Sequence, residues 1–410
     1  MAIQTAASTV GSATPLSNSI RTQYQDVYLE AAMMERLYDQ LATPFSDNDA
    51  MSRGSSIQVQ FLSDMEPGVT AISEVADVVP QTLRDATATL DPTSRSEALQ
   101  SSELLLIQAF TNYGEARFAK IGKNAMESID LLAQAAALQG TFVERPAARI
   151  SIDAGTTSHN ADDGTFRKAW VRFLNAKVPD FNQMMNIGSR TYLAITHPAV
   201  YADLLSTGNI LSIAQYQNQD ILFNHELGAV SAFRLAVSPW AKVFWGAGND
   251  LGSDVVATSL KADANALAKT MTLSVSTHLD NQELAFGWTV GTEETANVFY
   301  PKNETIVWTS LTTSVVTFIG EGPNGGLRFD HTTADVLRNA DSVYTICFGG
   351  PESLAKAWAP SVGEFGQVVG PKTQGLVDQW ESLGWKYYGN YARLSESRIL
   401  RAEVSARVEA

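Results

Sequence analysis

Between residues 54 and 100 the chain reads as a long polar arm that cannot stabilise itself. The arm opens with Ser55-Ser56-Ile57-Gln58-Val59-Gln60-Phe61, where Ile57, Val59 and Phe61 alternate with polar residues as in a half-buried strand. A second, weaker run from Leu83 to Leu90 closes it. The tip between them carries Asp64, Glu66, Glu74 and Asp77 with no basic residue, and is punctuated by Pro67, Gly68 and Pro80. A two-stranded hairpin with one thin apolar face is marginal in water. Ordering its backbone costs roughly 1–2 kcal/mol per residue. The arm therefore needs another surface to lie on, which points to a protein that assembles.

Size and charge narrow the classes. A chain of 410 residues holds two or three domains and has ample material for a core. Hydrophobic content of 45% with 18% charged residues belongs to a folded chain, not a disordered one. No apolar run reaches the ~18 residues that a membrane-spanning helix needs. The start at Met1 lacks a basic region followed by an apolar core, so no secretory signal is expected. One cysteine, Cys347, excludes an intramolecular disulfide framework. Five scattered histidines offer no zinc spacing, and no cofactor or metal is expected. The net charge of −15 opposes a nucleic-acid reader, because phosphate binding relies on Lys and Arg.

An amphipathic helix is expected over 19–42, with Tyr24, Tyr28, Ala31, Met34, Tyr38 and Leu41 on one side and Pro44 after its end. After the arm, Leu104–Ile107 should form a short buried lead-in to a long helix over 112–139. Asn112 and Glu115 have capping-box spacing, and Gly140 suits the stop. Phe118, Ile121, Ala125, Ile129, Leu132 and Ala136 keep a helical period, so one face is packed. Gly114 and Gly122 inside it cost roughly 1 kcal/mol each against alanine.

Beyond Pro146 the texture is mixed α/β. Strands are expected at 149–153, 191–195 and 228–237, and helices at 164–175 and from Pro198 through Leu205. Residues 250–348 look strand-rich, with Leu273–Val275, Val307-Trp308 and Val315–Ile319 as cores. Strands return at Trp385–Tyr388 and 399–408.

Several ordered pieces carry a family resemblance. The arm followed by the long helix, and Gly384-Trp385-Lys386-Tyr387-Tyr388-Gly389 leading to Arg401-Ala402-Glu403-Val404, resemble tailed-phage major capsid proteins. More narrowly they resemble the group typified by phage N-four, within the Hong Kong 97-like fold. Ala194-Ile195-Thr196-His197-Pro198, Glu226-Leu227-Gly228 with Phe233-Arg234, and the segment from Gly320 to Arg328 add to the likeness. It covers residues 20–246 and 320–410.

The resemblance implies an α/β (α+β) shell subunit without catalysis. Residues 1–50 become an N-terminal arm with the amphipathic helix, 51–110 the extended loop, and 111–188 the spine helix and peripheral domain. Residues 189–364 become the axial domain with an insertion at 250–319, and 365–410 the strands returning to the peripheral domain. The implied partners are further copies of the chain in hexamers and pentamers, a separate scaffolding protein, a portal protein, a decoration protein, and packaged DNA enclosed without sequence-specific binding. The protein is expected in the virion, after synthesis in the host cytoplasm. Some relatives crosslink the loop through a lysine; no lysine occurs in residues 1–119, so that chemistry is not expected. About 18 residues precede the first helix, so scaffolding is expected from a separate chain, and the start at Met1 gives no sign of trimming. In this reading Asp64, Glu66, Glu74 and Asp77, with Arg84 at the arm's return, form inter-subunit contacts. Gly114 and Gly122 lend the spine helix flexibility.

Other chemistries compete. The GxGxxG string at 320–325 follows a strand-like run, and Asp341 lies near the offset of a ribose-binding acid. Pro323 sits inside it, however, and 326–329 should continue as a strand, whereas a dinucleotide motif must open a helix. A turn is expected there; a dinucleotide-dependent oxidoreductase is the enzyme alternative. His197 before Pro198 is read as a helix-start residue, since no nucleophile motif accompanies it. His225-Glu226 lacks the second histidine of a zinc protease motif. Cys347, inside an apolar strand, is read as inert core. Four acidic groups at the arm tip lack the spacing of a Ca²⁺ loop. An encapsulin-type compartment shares the expected fold and remains the closest competitor.

Overall fold

The computed structural model describes residues 36–45, 56–62, 65, 80, 82, 85–108, 113–181, 192–206, 229–230, 232–249, 258–273, 283–289, 302–312, 314–333, 335–338, 340–374 and 379–407. The chain divides into two compact units, one of residues 1–133 with 354–394, the other of 134–353 with 395–410. Helices are numbered α1 (Glu103–Gln108), α2 (Tyr113–Leu138), α3 (Asp163–Asn175) and α4 (Pro198–Ser206).

In the first unit the long strand Trp380–Arg393 organises a five-stranded sheet among the described residues. Thr93–Ser102 runs antiparallel along its first part in ten unbroken pairs, from Ser102 opposite Trp380 to Thr93 opposite Gly389. On the long strand's other edge Gln367–Gln374 pairs along Trp380–Lys386 and Leu354–Trp358 along Gly389–Arg393, so Gly389 is paired on both sides. Ala42–Pro44 adds a short parallel strand beside Leu354–Lys356. The helix expected through residue 42 thus gives way earlier, to a 3-10 turn at Tyr38–Leu41 and then this strand. Pro44 suits an edge, since it has no N–H to donate. Most of the expected helix lies outside the described residues.

Helix α2 follows its sequence periodicity: Phe118, Ile121, Ala125, Met126 and Ile129 are buried. Trp385 Nε1 donates to Asn124 Oδ1 at 2.8 Å, and Arg117 donates to Ser101 Oγ at 2.6 Å, fixing the helix on the sheet. The lead-in α1 differs from expectation, because Leu104 and Leu105 are 61% and 46% exposed. Successive helical residues turn by ~100°, so four leucine-like side chains in a row cannot share one buried face.

In the second unit the core strand Val343–Gly349 is buried at all seven positions. Strands flank it on both sides, Ile399–Val404 and Tyr192–Thr196, each antiparallel to it. Phe233–Val237 lies parallel beyond Tyr192–Thr196. A strand covered on both faces needs a near-continuous apolar run, which Val343–Phe348 supplies apart from Thr345, whose hydroxyl donates to Lys242 O at 2.6 Å. Helix α3 is capped by Asp162, whose carboxylate accepts from Thr165 N at 2.8 Å, and it lays Phe166, Ala169 and Phe173 on the sheet. Phe166 meets Phe348 edge-to-face at 5.2 Å.

Residues 258–338 contain a second sheet, six-stranded among the described residues and antiparallel at every described pairing. Val316 and Phe318 point inward, while Val315 and Ile319 are exposed, so the expected core there alternates instead of being continuous. The segment 149–153, read as a strand, is a 3-10 turn at Arg149–Ser151 followed by irregular chain. Its geometry serves the burial of Arg149, described below. Residues 326–329 likewise carry no strand, although Leu327 is fully buried and bonds through its backbone to Leu267 and Ala268.

Candidate functional site

The arm begins as expected. Ile57–Leu62 and Asp85–Leu90 pair antiparallel, with Ile57 opposite Leu90 and Leu62 opposite Asp85. Its apolar face has a partner within the same chain: Ile57 and Leu90 pack with Ala355 and Ala357, and Phe45, Val59, Ala392 and Leu394 border them. The expectation that this face depends on another subunit is therefore corrected for the hairpin base. Small alanines on Leu354–Trp358 leave room for the hairpin's branched side chains. Asp64, Glu66, Glu74, Asp77 and Arg84 lie outside the described residues.

The arm continues past Pro92 into Thr93–Ser102, exposed at every position from Thr93 to Gln100. Gly384, on the neighbouring strand, allows that approach: a Cβ there would sit 2.6 Å from Glu97 O. Gly114 and Gly122 both lie in α2, and Gly122 is buried.

Charged side chains form three buried clusters that the sequence reading passed over. In the first unit Asp39 accepts from Lys356 Nζ at 3.0 Å and from Tyr391 Oη at 2.7 Å, and pairs with Arg36 at 2.9 Å. Nearby, Asp130 of α2 accepts from the backbone N–H of Tyr38 at 2.9 Å and of Asp39 at 3.2 Å. Burial outweighs those bonds and, with the charge of Asp39, pushes the Asp130 carboxyl up to about 7.

In the second unit Glu403 gathers Arg145, Arg149 and Arg401. Burial by itself would raise its pKa, but the Arg149 hydrogen bonds and the three guanidinium charges hold it at about 2. Arg401 also donates to Leu138 O, and Phe244 lies under Arg149 at 4.7 Å. In the six-stranded sheet His331 stands between Glu304 at 2.7 Å and Asp335 at 3.1 Å, its side chain and that of Glu304 fully buried. Burial opposes protonation of His331, but its two carboxylate partners prevail and raise its pKa. The available signal for these clusters was a charged residue inside an apolar pattern, as with Arg401 and Glu403 in Ile399–Val404 or Asp130 in α2.

The expected decoys have structural roles. The glycine string closes a tight turn: Pro323–Gly325 is 3-10, Gly325 has φ of 74°, and Gly322 N bonds to Gly326 O at 2.8 Å. No helix opens from it. Asp341 accepts from Ala154 N at 3.1 Å, and His197 Nδ1 accepts from Ala199 N at 3.2 Å at the start of α4. Cys347 is buried. Among the described residues no group of three or more His, Cys, Asp or Glu side chains is placed to hold a metal ion. His225 lies outside them.

No protein-family model matches the chain, and no curated protein matches it. Among solved structures it is similar to the capsid of Ralstonia phage GP4, with a TM-score of 0.51 and 9% identity over 92% of this chain and 91% of that one. It is also similar to the capsid asymmetric unit of cyanophage Pam1, with a TM-score of 0.50 and 9% identity over 92% of this chain and 94% of that one. At that identity the likeness is one of fold. The fold of this chain is a mixed, strand-rich α+β one, and it is the fold of phage capsid proteins.

Proposed function

We propose that this chain is a major capsid protein of the Hong Kong 97-like type, close to the group typified by phage N-four. Its work is to associate with its own copies into hexamers and pentamers and close an icosahedral shell around packaged DNA. It acts structurally, without catalysis or cofactor. The observation that carries this reading is the fold likeness to two phage capsids over nine-tenths of each chain. The hairpin arm and the 26-residue helix behind it support it from within the molecule.

In this reading 51–110 is the extended loop, α2 the spine of a peripheral domain over 111–188, 189–364 an axial domain with an insertion at 250–319, and 365–410 the returning strands. A separate scaffolding protein, a portal and a decoration protein complete the particle. The acidic tip residues Asp64, Glu66, Glu74 and Asp77, with Arg84, meet charged groups of an adjacent subunit. Gly114 and Gly122 let α2 bend in one shell form and straighten in another. Repetition of the same contacts in a closed shell allows each to be weak.

Sedimentation velocity of the purified chain, followed by negative-stain imaging of fast species and assay of their contents, tests the proposal. Shells, rings or tubes support it. A monomer of 44.3 kDa that stays monomeric even beside a co-expressed scaffolding protein overturns it. Shells holding a cargo protein and no nucleic acid assign the chain to a protein compartment instead.

A further inference from the structure

Thr93–Ser102 is an unusual edge strand. It pairs with Trp380–Gly389 on one side, and no strand among the described residues pairs with its other side. It is ten residues long, runs through ten consecutive pairs without a bulge, and contains neither proline nor lysine. Those are the devices that usually keep a sheet edge from pairing with another chain. Eight successive residues, Thr93 to Gln100, are exposed on both faces, so a joining strand would meet no covering layer.

We propose that this edge pairs antiparallel with the same strand of a second copy, about a two-fold axis at Ser96. The charge pattern selects both partner and register. A two-fold perpendicular to the sheet preserves its faces, so the numbers of paired residues add to an even total. Centred on Ser96, Arg95 of each copy lies opposite Glu97 of the other, and Thr93 opposite Leu99. Moving the centre to Arg95 or to Glu97 sets like charges directly opposite each other, which is destabilising. In-register parallel pairing also sets Arg95 against Arg95 and Glu97 against Glu97. Only the Ser96-centred arrangement uses both charges twice, as an isologous contact requires.

The inference rests on the shell reading only in taking a second copy as partner, and cysteine crosslinking of the full chain separates the two. Facing α-carbons of an antiparallel pair lie about 4.5–5.5 Å apart, within disulfide range. Ser96→Cys should give a covalent dimer on mild oxidation. Thr93→Cys should not by itself, but should when mixed with Leu99→Cys. Lys168→Cys, exposed on α3, serves as the background control. Arg95→Glu or Glu97→Arg in the Ser96→Cys chain should lower the crosslinked fraction by about tenfold, since two attractive cross-strand pairs become repulsive. The combined charge swap should restore it. No crosslinking above the control, equal crosslinking at all sites, or failure of the swap to rescue overturns the pairing. Shells without the Ser96 crosslink sink this inference and leave the capsid reading standing. Crosslinked dimers that never form larger species do the reverse.

Discussion

Arg149 and Glu403, 254 residues apart, form a two-pronged ion pair with both side chains fully buried: Nη2 lies 2.6 Å from Oε1 and Nε 2.8 Å from Oε2. Arg145 Nε adds a 2.6 Å bond, and Arg401 Nε lies 2.9 Å from Oε1 as an ion pair without hydrogen-bond alignment. One carboxylate thus holds three guanidinium groups.

Glu403 should be the costliest member to remove. Glu403→Gln leaves three buried or half-buried cations uncompensated and should destabilise the protein by about 3–5 kcal/mol, the range for breaking a buried pair. Arg145→Ala should cost less, because Arg145 keeps more solvent contact and Glu403 retains two partners. The Glu403 pKa is depressed from 4.5 to about 2, so its contribution is present above 4.5 and fades as pH falls toward 2. Urea denaturation of wild type and both variants across that range checks the order and the slope.

His331 should impose a stability window on the six-stranded sheet. Its pKa is raised from 6.5, so its contribution is complete below 6.5 and is lost as pH rises through the higher folded value. Asp335, by contrast, is lowered from 3.8 by its bonds to His331 and Thr332 N despite burial, so its share is lost as pH falls below 3.8. Protection factors of the Asp335–Arg338 amides, normalised to intrinsic exchange at each pH, should be highest between those limits and fall at alkaline pH. In His331→Asn that alkaline loss of protection should vanish.

Asp130 works in the same sense as His331 and opposite to Glu403. Its carboxyl is raised from 3.8 to about 7, so the folded state binds the extra proton and stability falls as pH climbs across that interval. Asp130→Asn keeps an oxygen for the Tyr38 and Asp39 N–H groups without a buried charge. It should stabilise the protein at pH 8 by on the order of 1 kcal/mol and flatten the pH dependence in thermal melts.

Gly384→Ala should loosen the seating of Thr93–Ser102. The added Cβ meets Glu97 O at 2.6 Å and Ala98 Cβ at 3.1 Å, so one strand has to shift. A cost of about 1–3 kcal/mol is expected. Limited proteolysis within residues 93–102 should speed up in this variant; unchanged cleavage would show that the sheet absorbs the methyl group.

The arm tip and α2 glycines have assembly readouts. Reversing charge at Asp64, Glu66, Glu74 and Asp77 should reduce particle yield and alter its salt dependence, and unchanged yield at every salt concentration removes the tip from the contact. Gly114→Ala with Gly122→Ala should impair formation or expansion of shells, and normal particles of both forms would refute the bending role.

The sequence by itself determined the elements whose signal is local. The period of Phe118, Ile121, Ala125 and Ile129 marks α2, the apolar run Val343–Phe348 marks a strand buried on both faces, and the alternation of Ile57, Val59 and Phe61 marks the arm's first strand. The glycine string was legible as a turn because Pro323 forbids the alternative. Tertiary structure alone decided what each face meets. Ile57 lies on Ala355 and Ala357 of its own chain, some three hundred residues away, and periodicity records only that a face is apolar, not what covers it. Arg149 sits in a 3-10 turn where β-formers suggested a strand, since an ion pair with remote Glu403 outweighs a weak local preference. Charges such as Asp130, Arg401 and Glu403 look like solvent-facing residues until their partners arrive from distant segments, because a buried charge is tolerated only when the fold supplies its counterpart.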